Sequence, residues 1–154
     1  MIYGYQRVST VEQVAGTSLA EQERTIRAVA QALDPSADTT LEMVTDPGVS
    51  GSVPFHERPG GGWLLDMLLP GDTIVVSKLD RAFRSAKDAL AQVHALEERG
   101  VDLVLADMGP QPVTRDGVGR LFFTMMAALA EFERTRIAER TREGRDAKKA
   151  RGGY

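Results

Sequence analysis

The stretch IYGYQRVST, residues 2–10, decides how the rest of the chain is interpreted. It is short and β-prone, and its small and apolar residues alternate loosely with larger or polar ones, which predicts a first β-strand. Arg7 and Ser9 stand at the carboxyl end of this strand and, two residues apart, face the same side. Ligand sites of open α/β sheets collect at such strand ends. A guanidinium beside a hydroxyl suits chemistry on a phosphate, although an Arg-x-Ser at a strand end is more commonly just solvated.

The segments that follow alternate between helical and strand patterns. This alternation predicts an α/β fold with a mostly parallel central sheet and helices on both faces. A capping box formed by Ser18 and Glu21 predicts the start of the first long helix. We expect helices over about 19–33, 63–69 and 86–99, strands over about 41–44, 73–76 and 101–106, and loops over 11–17, 46–52 and 54–62.

The last third of the chain differs from the rest. After a loop over 107–115, one helical pattern runs from Asp116 towards Ala150, with an apolar first half and a basic second half. A helix of about 35 residues is about 50 Å long, more than a domain of this size can cover. A partner subunit for the apolar half and a phosphate backbone for the basic half would both fit. We therefore divide the chain into a core, 1–115, and a long helical segment, 116–154, that extends from it.

The composition restricts the classes of function. The 154 residues suit one domain, and the absence of cysteine excludes disulfides and thiol chemistry. Two histidines, His56 and His94, argue against a histidine metal site, and we interpret both as structural or exposed. No apolar run reaches the roughly 18 residues of a membrane span, and no charged signal-peptide start is present, which predicts a cytoplasmic protein with no membrane partner.

The charge is distributed unevenly. The net charge is −3, yet residues 134–151 contain eight basic and three acidic residues, a net +5, so the rest of the chain carries −8. This asymmetry indicates a basic arm on an acidic body. A solvated helix with mixed charges is the alternative.

Several arginines stand at predicted strand ends and loops. Arg81 and Arg84 are three residues apart and would share a helical face. Arginine binds phosphate oxygens with its planar fork, and a group of arginines around one hydroxyl would clamp a phosphoryl transition state. Asp80 could orient an arginine or handle a proton. Alternatively, Arg81 and Arg84 only pair with Asp80 and Asp88 on the surface. The candidate arginines are Arg7, Arg58, Arg81 and Arg84.

Other phosphate-handling patterns are missing from the sequence. There is no Gly-x-x-x-x-Gly-Lys-Ser/Thr loop and no Gly-x-Gly-x-x-Gly, so neither a nucleotide hydrolase nor a dinucleotide enzyme is supported. The carboxylates do not cluster as a two-metal nuclease requires. We interpret the glycines at 60–62 as a flexible loop.

Several short motifs follow one another along the chain. They are Tyr5-x-Arg7-Val8-Ser9-Thr10 with Gln13, Ser18-Leu19-x-x-Gln22, Asp46-x-Gly48-Val49-Ser50-Gly51, Arg58-Pro59, Lys78-Leu79-Asp80-Arg81-x-x-Arg84 and Ala130-Glu131-Phe132-Glu133-Arg134-x-x-Ile137-x-Glu139-Arg140-Thr141. Taken together, these motifs resemble those of the serine site-specific recombinases, the family of resolvases, invertases and large serine integrases. The resemblance covers nearly the whole chain, with the blocks in order and at suitable distances.

The resemblance implies a role for each matching residue. Ser9 matches the nucleophile that forms a 5′-phosphoserine link with DNA and releases a 3′-hydroxyl, without metal or nucleotide. The long helix would build homodimers and homotetramers on double-stranded DNA at a specific site. The clamp would comprise Arg7, Arg81 and Arg84, with Asp80 beside them, Gln22 and Arg58 as further active-site residues, and Arg134 and Arg140 near the DNA.

The sequence departs from the family pattern in three places. The spacing from Ser9 to Gln22 is longer than in small resolvases and nearer that of large integrases, and Ser50 to Arg58 is also longer. The family normally carries a DNA-binding region after the long helix, so we expect an isolated catalytic domain, with Ser9 on a loop that DNA and a neighbouring subunit help to organise. A catalytically silent oligomerisation module of a DNA-binding protein is the main alternative, and a metal-dependent phosphoesterase is a third.

Overall fold

A four-stranded sheet forms the centre of the protein. The computed structural model describes residues 1–14, 19–115 and 117–152. The strands lie in the order β2-β1-β3-β4, and every neighbouring pair is parallel, as the alternation of elements predicted. The strands are β1 (Ile2–Val8), β2 (Leu41–Pro47), β3 (Thr73–Val76) and β4 (Asp102–Leu105).

Strand β1 is central, and all seven of its residues are buried. Tyr3 and Tyr5 enter one core cluster, whereas Ile2 enters the other, with Ile26 of the first long helix. Gly4 lets that helix approach, since a Cβ there would lie 2.6 Å from Ile26 Cγ2 and 2.4 Å from Met43 Sδ. Side chains alternate across the strand, so Arg7 belongs to the face of the tyrosines.

Helices cover both faces of the sheet, as predicted. Helices α2 and α3 pack on the face of Ile2, and the remaining core helices pack with the tyrosines on the other. The helices are α1 (Thr10–Val14), α2 (Leu19–Leu33), α3 (Ala37–Thr40), α4 (Pro59–Met67), α5 (Leu79–Ala82), α6 (Ala86–Glu98) and α7 (Val118–Ala150), with single 3₁₀ turns at Phe55–Glu57 and Ala106–Met108.

Three local predictions are wrong. Residues 11–14 of the predicted loop 11–17 belong to α1, because Ser9 caps that helix, while residues 15–17 lie outside the described part of the chain. Strand β2 continues past residue 44 to Pro47, so Asp46 is buried in a strand and not exposed in a turn. Helix α4 begins at Pro59, within the predicted loop 54–62.

The glycines of α4 are therefore helical and do not form a flexible loop. The carboxylate of Asp46 accepts hydrogen bonds from the N–H groups of Gly60 (2.6 Å) and Gly61 (3.0 Å) and so caps α4 from outside. A Cβ at Gly61 would lie 2.3 Å from the Phe55 carbonyl oxygen. The absence of side chains allows this close approach. Ser18 and Asp116, which were predicted to begin helices, lie outside the described residues.

Helix α7 leaves the core after its first turns. Phe123 and Ala127 are buried, but the residues from 128 to 150 are exposed apart from the half-buried Glu131. The predicted length is confirmed, since α7 has 33 residues. Its exposed apolar side chains face away from the core: Leu121, Met125, Met126, Leu129 and Phe132 are each 52–60% exposed.

Helix α6 packs on the core through Ala89, Val93 and Leu96, whereas its Leu90 is 39% exposed. None of the helices in the described part of the chain has the length and apolar character needed to span a membrane.

Candidate active site

The candidate site lies at the carboxyl ends of β1 and β3. Arg7 is the next-to-last residue of β1, and Ser9 follows the strand directly. Arg81 lies in α5, which begins shortly after β3. Because parallel strands end at the same edge of the sheet, residues more than 70 positions apart in sequence meet here.

The guanidinium of Arg7 is buried and held by backbone oxygens. Its Nε donates to the Arg81 carbonyl (3.2 Å), Nη1 to the Val49 carbonyl (2.8 Å) and Nη2 to the Asp80 carbonyl (3.1 Å). Burial lowers the pKa of Arg7, and repulsion from Arg58 and Arg81 acts in the same direction. Arginine nevertheless stays charged at neutral pH. The site therefore contains a fixed positive charge whose direct partners are mostly neutral.

Arg58 is the largest fully buried side chain in the described residues, with 1% exposure. Its Nη1 donates to the Arg81 carbonyl (2.7 Å) and to the Tyr5 hydroxyl (3.0 Å), and its guanidinium carbon lies 5.7 Å from the Phe55 ring centroid. Arg58 and Arg7 thus bind the same carbonyl oxygen. The structure brings Arg58 into the predicted cluster despite its longer spacing from Ser50.

Arg81 contacts both Arg7 and a carboxylate that the sequence analysis overlooked. Its Nη1 donates to the Arg7 carbonyl (3.1 Å) and to Glu12 Oε2 (2.5 Å). The other oxygen, Glu12 Oε1, lies 3.7 Å from Arg7 Nη1. The hydrogen bond from Arg81 holds the pKa of Glu12 below its usual value. One carboxylate therefore bridges two of the arginines predicted to clamp a phosphate.

Ser9 and Glu12 form a reciprocal capping box at the start of α1. The Glu12 N–H donates to Ser9 Oγ (3.1 Å), and the Ser9 N–H donates to Glu12 Oε1 (3.3 Å). Each residue satisfies a helix N–H that would otherwise lack a partner. Ser9 is half-buried, and Glu12, which it caps, links it to Arg81 and Arg7. The expected disorganised loop is a capped helical turn in this part of the chain.

Gln22 acts on the backbone of Arg7. Its Oε1 accepts from the Arg7 N–H (3.2 Å), and its Nε2 donates to the Arg7 carbonyl (2.9 Å). Strand β3 pairs with β1 only as far as Tyr5, so this amide continues the ladder where the neighbouring strand has ended. Gln22 therefore fixes the end of β1 and, through it, the position of Arg7.

The remaining predicted residues lie outside this buried cluster. Asp80 has a side chain that is 67% exposed and lies 3.5 Å from Arg81 Nε. The Arg84 side chain is 47% exposed and lies 3.8 Å from Asp88 Oδ2, the surface pairing considered as an alternative. Arg84 follows α5, so it does not share a helical turn with Arg81. Arg134 and Arg140 are exposed on the projecting part of α7.

Tyr5 and Asp46 bind the buried side of the arginine cluster through Arg58. The Tyr5 hydroxyl donates to Asp46 Oδ2 (2.8 Å) and accepts from Arg58. Burial raises the pKa of Tyr5 above its ordinary value. Two signals in the sequence could have pointed to Glu12 and Asp46, which were not predicted as site residues: the Ser9-x-x-Glu12 pattern of a capping box, and an aspartate at the end of a parallel strand.

Tyr5→Phe tests this support through alkaline unfolding. Because the folded state raises the pKa of Tyr5, the phenol contributes its full stability below the unfolded pKa of about 10 and loses it as the pH rises above that value. We expect Tyr5→Phe to reduce the free energy of unfolding by about 1–2 kcal/mol at pH 7, and the two curves to converge above about pH 10. Urea unfolding between pH 7 and 11 measures the difference; parallel curves would contradict the assignment.

Comparisons with known proteins agree with this architecture. The sequence model of the family described as "Resolvase, N terminal domain" matches residues 2–154. The chain is 40% identical to a DNA-invertase of Escherichia phage P1 over 99% of its own length and 72% of the relative's. It is 35% identical to the Tn2501 resolvase of Escherichia coli, over 98% of its own length and 72% of that resolvase.

Solved structures agree as well. The catalytic domain of TP901-1 integrase superposes with a TM-score of 0.60 at 29% identity, over 87% of this chain and 96% of that one. A resolvase family site-specific recombinase from Streptococcus pneumoniae gives a TM-score of 0.59 at 27% identity, over 97% of both chains. The fold and the sequence therefore define a catalytic domain of the recombinase class. The chain belongs to the serine recombinases of the resolvase family.

Proposed function

We propose that this domain cleaves and rejoins double-stranded DNA at a specific site, with Ser9 as the nucleophile. The observation that carries the proposal is the convergence of Ser9, Arg7 and Arg81 at one edge of the sheet in a member of a recombinase family. The DNA partner is inferred from relatives that are DNA-invertases and resolvases.

The reaction follows from the groups at this edge. The Oγ of Ser9 attacks the phosphorus of a phosphodiester, an Oγ–P bond forms and the P–O3′ bond breaks. The proton of the hydroxyl ends on the released 3′-oxygen, and the DNA stays linked to the protein as a 5′-phosphoserine. Arg7 and Arg81 stabilise the charge that develops on the phosphoryl oxygens. The phosphoserine ester keeps the energy of the broken bond, so the reverse attack by a 3′-hydroxyl rejoins the strand.

The other predicted residues take supporting roles in this proposal. Gln22 and Arg58 position the clamp, since both bind the chain around Arg7 or Arg81. Asp80 and Arg84 stand at the rim, where their exposed side chains are available to DNA. Arg134 and Arg140 would contact the DNA backbone from α7.

A trapped covalent adduct tests the function. The substrates are nicked duplexes with a randomised core. Cleavage of the nicked strand releases a short fragment that carries the 3′-hydroxyl, so the strand cannot be rejoined and any phosphoserine link is retained. The chain is incubated with this pool, adducts are isolated under denaturing conditions, and the linked peptide is identified by mass spectrometry. We expect the adduct to lie on the peptide that contains Ser9 and to form equally well in chelator. An adduct on another residue, or none, would refute the proposal.

We also propose a division of labour between residues 1–115, which would carry the chemistry, and residues 116–154, which would assemble the protein and contact DNA. The argument is the exposure of α7. Its apolar side chains Met125 and Leu129 are 59% and 52% exposed, and burying such a stripe on a second copy would remove it from water. The basic residues beyond it suit a phosphate backbone. Homodimers and homotetramers through α7 follow from this arrangement.

Leu129→Glu tests the assembly. A charge in the centre of an apolar interface must be buried without a partner, so we expect association to weaken by roughly 100-fold or more. Ala138→Glu is the matched control, because Ala138 is exposed on the same helix but, nine residues after Leu129, lies on the opposite side of it from the stripe formed by Met125 and Leu129. Sedimentation velocity should show mostly monomers only for Leu129→Glu. Equal sedimentation of wild type and Leu129→Glu would contradict the proposal.

Within the family, we propose that this chain is nearest to the large serine integrases. The spacing from Ser9 to Gln22 and the likeness to the TP901-1 integrase domain support this branch, while the relatives by sequence include invertases and resolvases. Recombination assays on the DNA sites recovered from the adduct pool would distinguish the integrase branch from the invertases. Joining of two dissimilar sites supports the integrase branch, and inversion between two similar sites supports the invertases.

A further inference from the structure

The surroundings of Arg7 and Arg81 contain an unexpected anion. Both arginines reach the carboxylate of Glu12, which accepts from Arg81 Nη1 at 2.5 Å and lies 3.7 Å from Arg7 Nη1. Among the described residues, Glu12 is the one carboxylate within salt-bridge distance of Arg7. The other partners of the Arg7 guanidinium are carbonyl oxygens, which do not neutralise its charge.

The position of Glu12 matters because of what the same arginines are proposed to bind. A phosphodiester at Ser9 Oγ would place its anionic oxygens against Arg7 and Arg81. Two negative charges a few ångströms apart repel each other, and burial strengthens that repulsion because less water screens it. The Glu12 carboxylate and the phosphate therefore compete for one position.

We propose that Glu12 is a place-holder anion, whose carboxylate occupies the phosphate position of the Arg7 and Arg81 pair until DNA displaces it. The inference rests on the proposed function, since it assumes that these arginines bind the scissile phosphate. Glu12 would then hold Arg7 and Arg81 in position in the absence of DNA, and it would reduce the affinity of these two arginines for other anions.

The geometry also connects displacement to the nucleophile. Glu12 contacts Ser9 twice, through its own N–H to Ser9 Oγ and through Oε1 from the Ser9 N–H. When the carboxylate leaves Arg81, it either keeps the second contact or releases the Ser9 N–H towards the incoming phosphate. Its side chain is 25% exposed, so the core does not enclose it.

Glu12→Gln provides the central test. Glutamine keeps the shape and is equally suited to the capping box, but it removes the charge. We expect inorganic phosphate to bind at least about fivefold more tightly to Glu12→Gln than to wild type, because the competing anion is gone. The probe is inorganic phosphate, followed through the side-chain N–H resonances of Arg7 and Arg81 in ¹⁵N spectra of the whole chain. A purely structural role for Glu12 predicts unchanged or weaker binding.

Glu42→Gln is the matched control. It makes the same change in net charge, but Glu42 pairs with Tyr3 near the amino end of the sheet, away from the site. Its phosphate affinity should equal that of wild type. If both variants bind more tightly to the same extent, the effect is one of net charge and the inference fails.

A second measurement needs no variant. In wild-type protein, phosphate should shift the ¹³C resonance of the Glu12 carboxyl and the Ser9 amide together with the arginine resonances. Shifts at Arg81 without a shift at Glu12 would overturn the inference, as would the absence of any phosphate effect on Arg7 and Arg81. The adduct experiment tests the chemistry of Ser9 alone. If the phosphate measurements contradict the role of Glu12, the proposed reaction is unaffected. If the adduct forms on another residue, the comparison of phosphate affinities still stands.

Discussion

Ser9→Ala is expected to abolish the covalent protein–DNA adduct, with a loss in cleavage rate on the order of 10⁴-fold or more, as for other enzymes that lose their nucleophile. The reason is chemical, because the substitution removes the attacking oxygen, and Ser9 carries the one hydroxyl in the described residues that is hydrogen-bonded to Glu12, the carboxylate between Arg7 and Arg81. DNA binding should change by less than about twofold, since binding depends on charges that the substitution leaves in place. Adduct yield on the trapping substrates and fluorescence anisotropy on uncleaved DNA measure the two effects.

Thr10→Ala is the matched control for this prediction. Thr10 carries the neighbouring hydroxyl, which is exposed and donates to the Gly48 carbonyl at 3.4 Å. It should form the adduct at close to the wild-type rate. Ser9→Ala also removes the cap of α1, which costs about 1 kcal/mol, so circular dichroism must establish that the variant is folded. A folded Ser9→Ala variant that still forms the adduct would exclude Ser9 as the nucleophile.

Asp46→Ala is expected to cause the largest loss of stability, about 3–5 kcal/mol in the free energy of unfolding. Its buried carboxylate accepts from the Tyr5 hydroxyl and from the N–H groups of Gly60 and Gly61. Removal leaves two backbone donors at the start of α4 without a partner. It also deprives the Tyr5 hydroxyl, which accepts from Arg58, of its own acceptor. Urea unfolding followed by circular dichroism measures the change.

Asp66→Ala is the control for Asp46→Ala. Asp66 lies on α4 as well, but it is exposed, so its replacement should change stability by no more than about 0.5 kcal/mol. A loss below about 1 kcal/mol for Asp46→Ala would mean that water replaces the carboxylate as the acceptor. The capping role of Asp46 would then be wrong.

The local prediction failed where contacts between distant segments decide the conformation. Three glycines at 60–62 favour a loop by intrinsic preference. They are helical here because the carboxylate of Asp46, fourteen residues earlier, binds the N–H groups at the start of α4. Arg58 presents the same difficulty: its burial depends on carbonyls of Gly51, Val53 and Arg81 that converge only after folding.

Strong local patterns, by contrast, were sufficient for the sheet and the long helix. The β-branched run at 73–76 became β3, and the continuous helical pattern became α7. The sequence also placed Arg7 and Ser9 at a strand end, which the structure confirms. Their proposed roles stay predictions until the adduct and its variants are measured.

The sequence by itself determined the parallel α/β architecture, the length of α7 and the identity of the serine and arginines at the strand ends, because periodicity and residue type are local properties. Only the tertiary structure decided which of these residues meet. It brought Arg58 into the buried cluster, left Arg84 at the surface with Asp88, and set Glu12 between Arg7 and Arg81. The physical reason is that these contacts depend on how β1, α1 and α5 pack, and the distance between side chains on different elements cannot be derived from their spacing along the chain.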